Sequence, residues 1–164
     1  PNEQHLSVVL QNNLSLEGHN IEIINGSVSG STSAGGLNIA EWTLSEPSID
    51  LMILCLGAND MLRGINPKET KNNLEEIIKI AKSKNIKVII AGMIAPTSYG
   101  FEYKKSFDTI FSDLSKKYKL QLIPFLLEGV AQKPEFNLSD GMHPNDQGTI
   151  IISNTLKKAI LENL

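Results

Sequence analysis

Apolar residues recur along this chain in two rhythms that take turns. In SVVLQNNL, residues 7–14, they fall at helical spacing, whereas HNIEIIN from His19 alternates with period two and predicts a strand. The turn residues NGSVSGSTSAGG follow. LNIAEWTL is then predicted helical as far as Pro47, and DLMILCLG is an unbroken apolar run of the length of a strand buried on both faces. Asn66 as N-cap, Pro67 at the first helical position and Glu69 at the capping-box position start a helix predicted to reach Lys84. IKVIIAGM from Ile86 predicts a second fully buried strand, residues 103–118 a helix, and LQLIP a short strand. A last amphipathic helix over residues 145–161 offers Ile150, Ile151, Leu156, Ile160 and Leu161 for packing.

Strands separated by helices, two of them apolar throughout, imply a parallel sheet with helices on both faces: one three-layer α/β domain over residues 1–164. Such sheets bind ligands beyond the carboxyl ends of their strands. That rule selects four polar loops, NGSVSGSTS, GANDMLRG, IAPTSYGFEY and SDGMHPN, all expected at one edge of the sheet.

Composition narrows the partners. A chain of 164 residues buries about 70% of its unfolded surface and so carries a real core. A formal charge of −3 gives no basic footprint, so nucleic acid is not an expected partner. The single cysteine, Cys55, has no internal disulfide partner; within LMILCLG it is expected to be a small buried hydrophobe, with nothing nearby to lower its pKa. No apolar stretch approaches the roughly 20 residues of a membrane helix, and PNEQHL is too polar for a signal peptide. The chain as given is expected to be soluble, without stable membrane anchoring.

The loops carry the chemistry. In GANDMLRG, Gly57 lets backbone approach closely and Asn59 can aim its amide into the crevice as a donor; the alternative is that Asn59 and Asp60 only make a turn or cap. In SVSGSTS, the Gly30 N–H could face a ligand as an oxyanion donor does, or the loop could be a plain turn. It is no nucleophile elbow, because the G-x-S-x-G register from Gly26 puts Val28 at its centre, and Ser27, Ser29 and Ser31 are read as turn and helix-cap residues. Asp140 and His143 are the more specific pair. Two residues between them let the carboxylate meet the ring Nδ1–H while Nε2 points away, the arrangement that holds a general base in its useful tautomer. A structural role or a metal site are the alternatives; the other histidines, His5 and His19, are not placed at that edge, so no metal is expected.

SVSGSTSAGGL, LGANDMLRG and DGMHPN, in this order and at these separations, resemble three of the four sequence blocks of the SGNH (GDSL-type) hydrolases. The likeness is to the thioesterase I, lysophospholipase L1 and arylesterase branch, and APTSYGFEY resembles that branch's substrate-side loop. The resemblance implies a three-layer α/β/α fold with a parallel, flavodoxin-like sheet and a serine hydrolase that needs no cofactor. Gly30 and Asn59 would match the oxyanion glycine and asparagine, and Asp140 and His143 the acid and general base of the triad. Met61, Leu62, Ile65, Tyr99 and Phe101 would supply an apolar wall for an acyl chain, with plain packing as the alternative. Ser31 stands where relatives often carry aspartate.

No GDS block occurs in these residues, so the nucleophile is not in this chain; the family's first strand and its serine would stand immediately before residue 7. That strand lies inside the family's sheet, and each buried backbone group left unpaired without it would cost about 1–3 kcal/mol. The strand is therefore expected from upstream residues, from a separate N-terminal segment or from a second copy. The predicted reaction is hydrolysis of a small-molecule acyl ester or thioester. Rival readings are a carbohydrate acetyl esterase of the same fold, a nucleophile-less module that binds acyl or glycan ligands, and metal-dependent hydrolysis. The resemblance suggests a periplasmic or secreted protein.

Overall fold

Runs of Val, Ile and Leu make strands that must be covered, and in a computed structural model of the protein three of them pair in parallel. The structure describes residues 3–164, with side chains from Leu6 onward, so the His5 imidazole lies outside the described residues. In chain order the elements are α1 (Glu3–Leu16), α2 (Ser33–Thr43), β1 (Leu51–Leu54), α3 (Ala58–Leu62), α4 (Pro67–Ser83), β2 (Lys87–Ala91), α5 (Phe101–Tyr118), β3 (Gln121–Ile123) and α6 (Asp146–Leu161). Single 3₁₀ turns occupy Thr97–Tyr99 and Pro134–Phe136. No helix among the described residues is long and apolar enough to cross a membrane.

The chain divides into two compact units, one of Val28–Phe125 and one that joins Pro1–Ser27 to Leu126–Leu164. In the continuous unit the strand order is β1-β2-β3, with Leu51 opposite Lys87 and Ile89 opposite Gln121. The alternation of strand and helix predicted this parallel pairing, since each crossover is long enough for a helix. Leu74 and Ile78 of α4, Ile90 of β2 and Phe107, Ile110 and Leu114 of α5 form the heart of its core. As the sequence predicts, α4 opens on Asn66, whose side chain accepts from the Lys68 N–H at 2.9 Å, with Pro67 at N1.

β2 is buried along its length after Lys87, but β1 is not the doubly covered strand expected from its composition. Leu51, Met52 and Ile53 are half-buried and only Leu54 is buried, because among the described residues β1 pairs on one side alone. Cys55, expected inside, is exposed. Desolvation by the protein around it nevertheless pushes its thiol up to about 12.

In the other unit α1 packs on α6, with Leu10 and Leu14 buried on the first helix and Ile152, Leu156, Ala159 and Ile160 on the second. Asn13 donates to Ser153 Oγ at 3.2 Å, and Lys157 pairs with Glu17. The buried stripe of α6 differs from the expected one: Ile150 is exposed, and Ile152 takes the inward place. Residues 19–25 form no strand, which corrects the reading of HNIEIIN. The alternation survives, with Ile21 and Ile23 half-buried and Glu22 and Ile24 exposed, but a strand is a ladder and needs a partner. Gln11 of α1 stands in for one: its Nε2 donates to the Ile21 carbonyl at 2.7 Å, and its Oε1 accepts from the Ile23 N–H at 2.7 Å.

Candidate active site

The unit that joins both ends of the chain carries Asp140 and His143. The segment leading into α6 makes a short excursion closed at its base by an antiparallel bridge between Asn137 and Pro144, with the Leu138 N–H donating to the His143 carbonyl at 2.7 Å. Asn145 then serves two roles. Its Oδ1 caps α6 by accepting from the Gly148 N–H at 3.0 Å, and its Nδ2 donates to the Glu135 carbonyl at 2.8 Å. Gly148 is buried there, and a Cβ on it would stand 2.2 Å from the Phe136 carbonyl oxygen.

Within this excursion His143 Nδ1 lies 2.6 Å from Asp140 Oδ2. Asp140 Oδ1 accepts from the backbone N–H groups of Met142, at 2.9 Å, and His143, at 3.0 Å. These bonds, led by the backbone and then the ring of His143, hold the Asp140 carboxyl down at about 2. In a neutral ring, an ionised acid beside Nδ1 favours the tautomer protonated there, which leaves the Nε2 lone pair available. Both side chains are exposed.

The continuous unit carries a set of donors. Past the end of β1 and after Cys55 and Leu56, Gly57, at φ 117°, turns the chain into the five-residue helix α3, a conformation that favours glycine. The turn puts Asn59 and Asp60 into α3, so they are helical rather than turn residues. Asn59 Nδ2 donates to the Ser31 carbonyl at 3.1 Å. Gly30 occupies the third place of a turn closed by Ser31 N–H to Val28 carbonyl at 3.1 Å, with φ 68°, the sign that a type II turn needs there. Helix α2 is capped by Thr32, which accepts from the Gly35 N–H at 3.2 Å, and not by Ser31; the Ser27 hydroxyl and N–H both bond Asn25.

Asp60 is the residue whose weight the sequence concealed. Fully buried, its Oδ2 accepts from the Ser33 N–H at 2.7 Å, and its Oδ1 accepts from the Ser33 hydroxyl and from Thr70 Oγ1 at 3.1 Å. Asn73 adds a bond to Ser33 Oγ at 3.0 Å. The network fastens the start of α2 to α3 and α4 beside Gly30 and Asn59. Its one sequence signal is an acid among mostly uncharged neighbours, and the partners lie 27 and 10 positions away.

The expected apolar wall is divided. Met61 packs against the core, Ile65 and Tyr99 are half-buried, and Leu62 and Phe101 are 53% and 74% exposed. Tyr99 stacks on Tyr103 with centroids 5.3 Å apart, and the Tyr103 hydroxyl donates to the Ile65 carbonyl at 2.9 Å. The two loops that hold these residues are therefore tied by one aromatic pair.

The model of the GDSL-like lipase/acylhydrolase family matches residues 2–149. The chain belongs to this family. Among the relatives of this GDSL-like chain is an arylesterase of Vibrio mimicus, 34% identical over 164 residues that cover all of this chain and 82% of that protein. Esterase TesA of Pseudomonas aeruginosa is 36% identical over 136 residues, 83% of this chain and 68% of that one. A crystal structure of TesA superposes with a TM-score of 0.90 at 31% identity, covering 97% of this chain and 88% of that one. The GDSL-like chain thus has the three-layer α/β/α fold of the SGNH hydrolases and is by family a carboxylic ester hydrolase of the arylesterase and TesA branch.

Proposed function

We propose that the protein hydrolyses small-molecule acyl esters or thioesters through a Ser-His-Asp triad whose serine lies upstream of residue 1. The observation that carries this reading is the 2.6 Å contact between His143 Nδ1 and Asp140 in a member of an ester-hydrolase family. In this mechanism the serine Oγ attacks the acyl carbonyl and His143 Nε2 takes its proton. The imidazolium, steadied by Asp140, returns that proton to the leaving alkoxide or thiolate. Water then attacks the acyl-enzyme, giving its proton to His143, and the acid leaves as the serine is restored. Gly30 N–H, the second N–H of the Asn59 amide and the serine's own N–H bind the developing oxyanion. The contact from Asn59 to Ser31 supports this role, since it fixes the amide while using one of its two donors.

Met61, Leu62, Ile65, Tyr99 and Phe101 form the acyl side of the site in this reading. The exposure of Leu62 and Phe101 supports it, because apolar side chains left in solvent gain most from a bound chain. The likeness to the TesA branch also favours an exported enzyme, which fractionation of the native cells would test.

The decisive experiment is intact-mass spectrometry of the full-length protein after a fluorophosphonate, paired with hydrolysis of a series of p-nitrophenyl esters. One adduct on a serine N-terminal to residue 1, with loss of hydrolysis, is the expected result. Full hydrolysis without an adduct, or an adduct on a serine of residues 1–164, would overturn the triad.

A further inference from the structure

The five residues of α3 do more than deliver Asn59. Arg63, the C-cap residue, follows Asn59 by one turn, its N–H donating to the Asn59 carbonyl at 3.1 Å. Its guanidinium donates to the Gly30 carbonyl at 2.9 Å. Asn59 holds the next carbonyl, that of Ser31, at 3.1 Å. Two consecutive peptides of the loop are thus gripped from a single turn of helix. Apart from this grip the loop is held by one turn bond, from the Ser31 N–H to the Val28 carbonyl: Val28, Ser29 and Gly30 are exposed, and glycine has the widest backbone freedom of any residue. The buried Asp60 network begins only at Ser33. An oxyanion donor works only if it is aimed before the charge develops.

We infer that Arg63 is a positioning residue of the ester hydrolase, clamping Gly30 so that its N–H stays aimed at the oxyanion. The inference rests on the oxyanion role proposed for Gly30 and Asn59. Arg63 acts through the Gly30 carbonyl, which is joined to the Gly30 N–H across the glycine Cα, and does not touch substrate. It bonds a carbonyl, so its charge matters less than its reach, and an arginine suits this because its planar fork loses little freedom per bond.

The test compares Arg63→Ala, Arg63→Gln and Asn59→Ala in the full-length enzyme, measuring kcat and KM on one p-nitrophenyl ester, the rate of inactivation by a phosphonate ester, and Tm. For Arg63→Ala a fall in kcat of about tenfold is expected, with a matching fall in phosphonate inactivation and an unchanged KM and Tm. Arg63→Gln, which keeps an amide NH₂ as donor, should recover part of the loss. A rise in KM with unchanged kcat would overturn the inference by making Arg63 a substrate-binding group. Unchanged kcat and KM in Arg63→Ala, with Asn59→Ala strongly impaired, would overturn the clamp alone. Unchanged kcat in Asn59→Ala would overturn the oxyanion reading and the clamp with it.

Discussion

Asp140 holds His143 twice, through the ring at 2.6 Å and through the backbone N–H at 3.0 Å, so one carboxylate fixes both the loop and the imidazole that the loop carries. Asp140→Asn keeps the backbone acceptor and loses the ion that steadies an imidazolium. Its kcat should fall by about 10³- to 10⁴-fold, with substrate binding little changed. Steady-state kinetics on one ester measure this directly.

The same bonds predict a pH dependence of stability. The folded-state pKa of Asp140 is depressed from 3.8 to about 2, so its contribution is present above 3.8 and is lost as pH falls through that window. Urea unfolding of the native protein and of Asp140→Asn should show a gap at neutral pH that closes by about pH 2. A gap unchanged between pH 5 and pH 2 would detach Asp140 from acid sensitivity.

Adjacent residues of α3 should fail in opposite ways. Asn59→Ala should lower kcat by about 10²- to 10³-fold with little change in Tm, because the side chain is only half-buried. Asp60→Ala strands the Ser33 and Thr70 donors in the interior and should cost about 2–4 kcal/mol of stability. Thermal denaturation beside kinetics separates the two.

Leu62→Ser and Phe101→Ser touch exposed side chains, so Tm should hold. If these residues line the acyl site, kcat/KM on octanoyl esters should drop by about tenfold while acetyl esters are hydrolysed as before. Equal effects on both chain lengths would remove them from the acyl side.

Gly148→Ala puts a methyl 2.2 Å from the Phe136 carbonyl oxygen, which is backbone and cannot swing away. A loss of about 1–3 kcal/mol in urea unfolding is expected, because the base of the histidine excursion must shift.

Periodicity and caps made most of the fold legible. The Asn66-Pro67 start, the buried run of β2 and the helices α4 and α5 follow from local rules that tertiary context reinforces. Local rules failed where a segment depends on a neighbour. Residues 19–25 carry the alternation of a strand without its ladder, and β1 has the composition of an inner strand with one paired side among the described residues. The site divides in the same way. Asp140 and His143 are three residues apart and could be read as a pair, whereas the Asp60–Ser33 and Arg63–Gly30 bonds span 27 and 33 positions and leave no periodic trace.

The packing of α1 on α6 sets an order of events during synthesis. Asn13 and Ser153 are 140 positions apart, as are Glu17 and Lys157. At roughly 5–20 residues per second, α1 leaves the ribosome many seconds before its partner exists. Leu10 and Leu14 must wait through that interval without the helix that packs on them, while the continuous unit has already been made. The excursion bearing Asp140 and His143 is also translated late, so the newborn chain carries Gly30 and Asn59 well before these two residues.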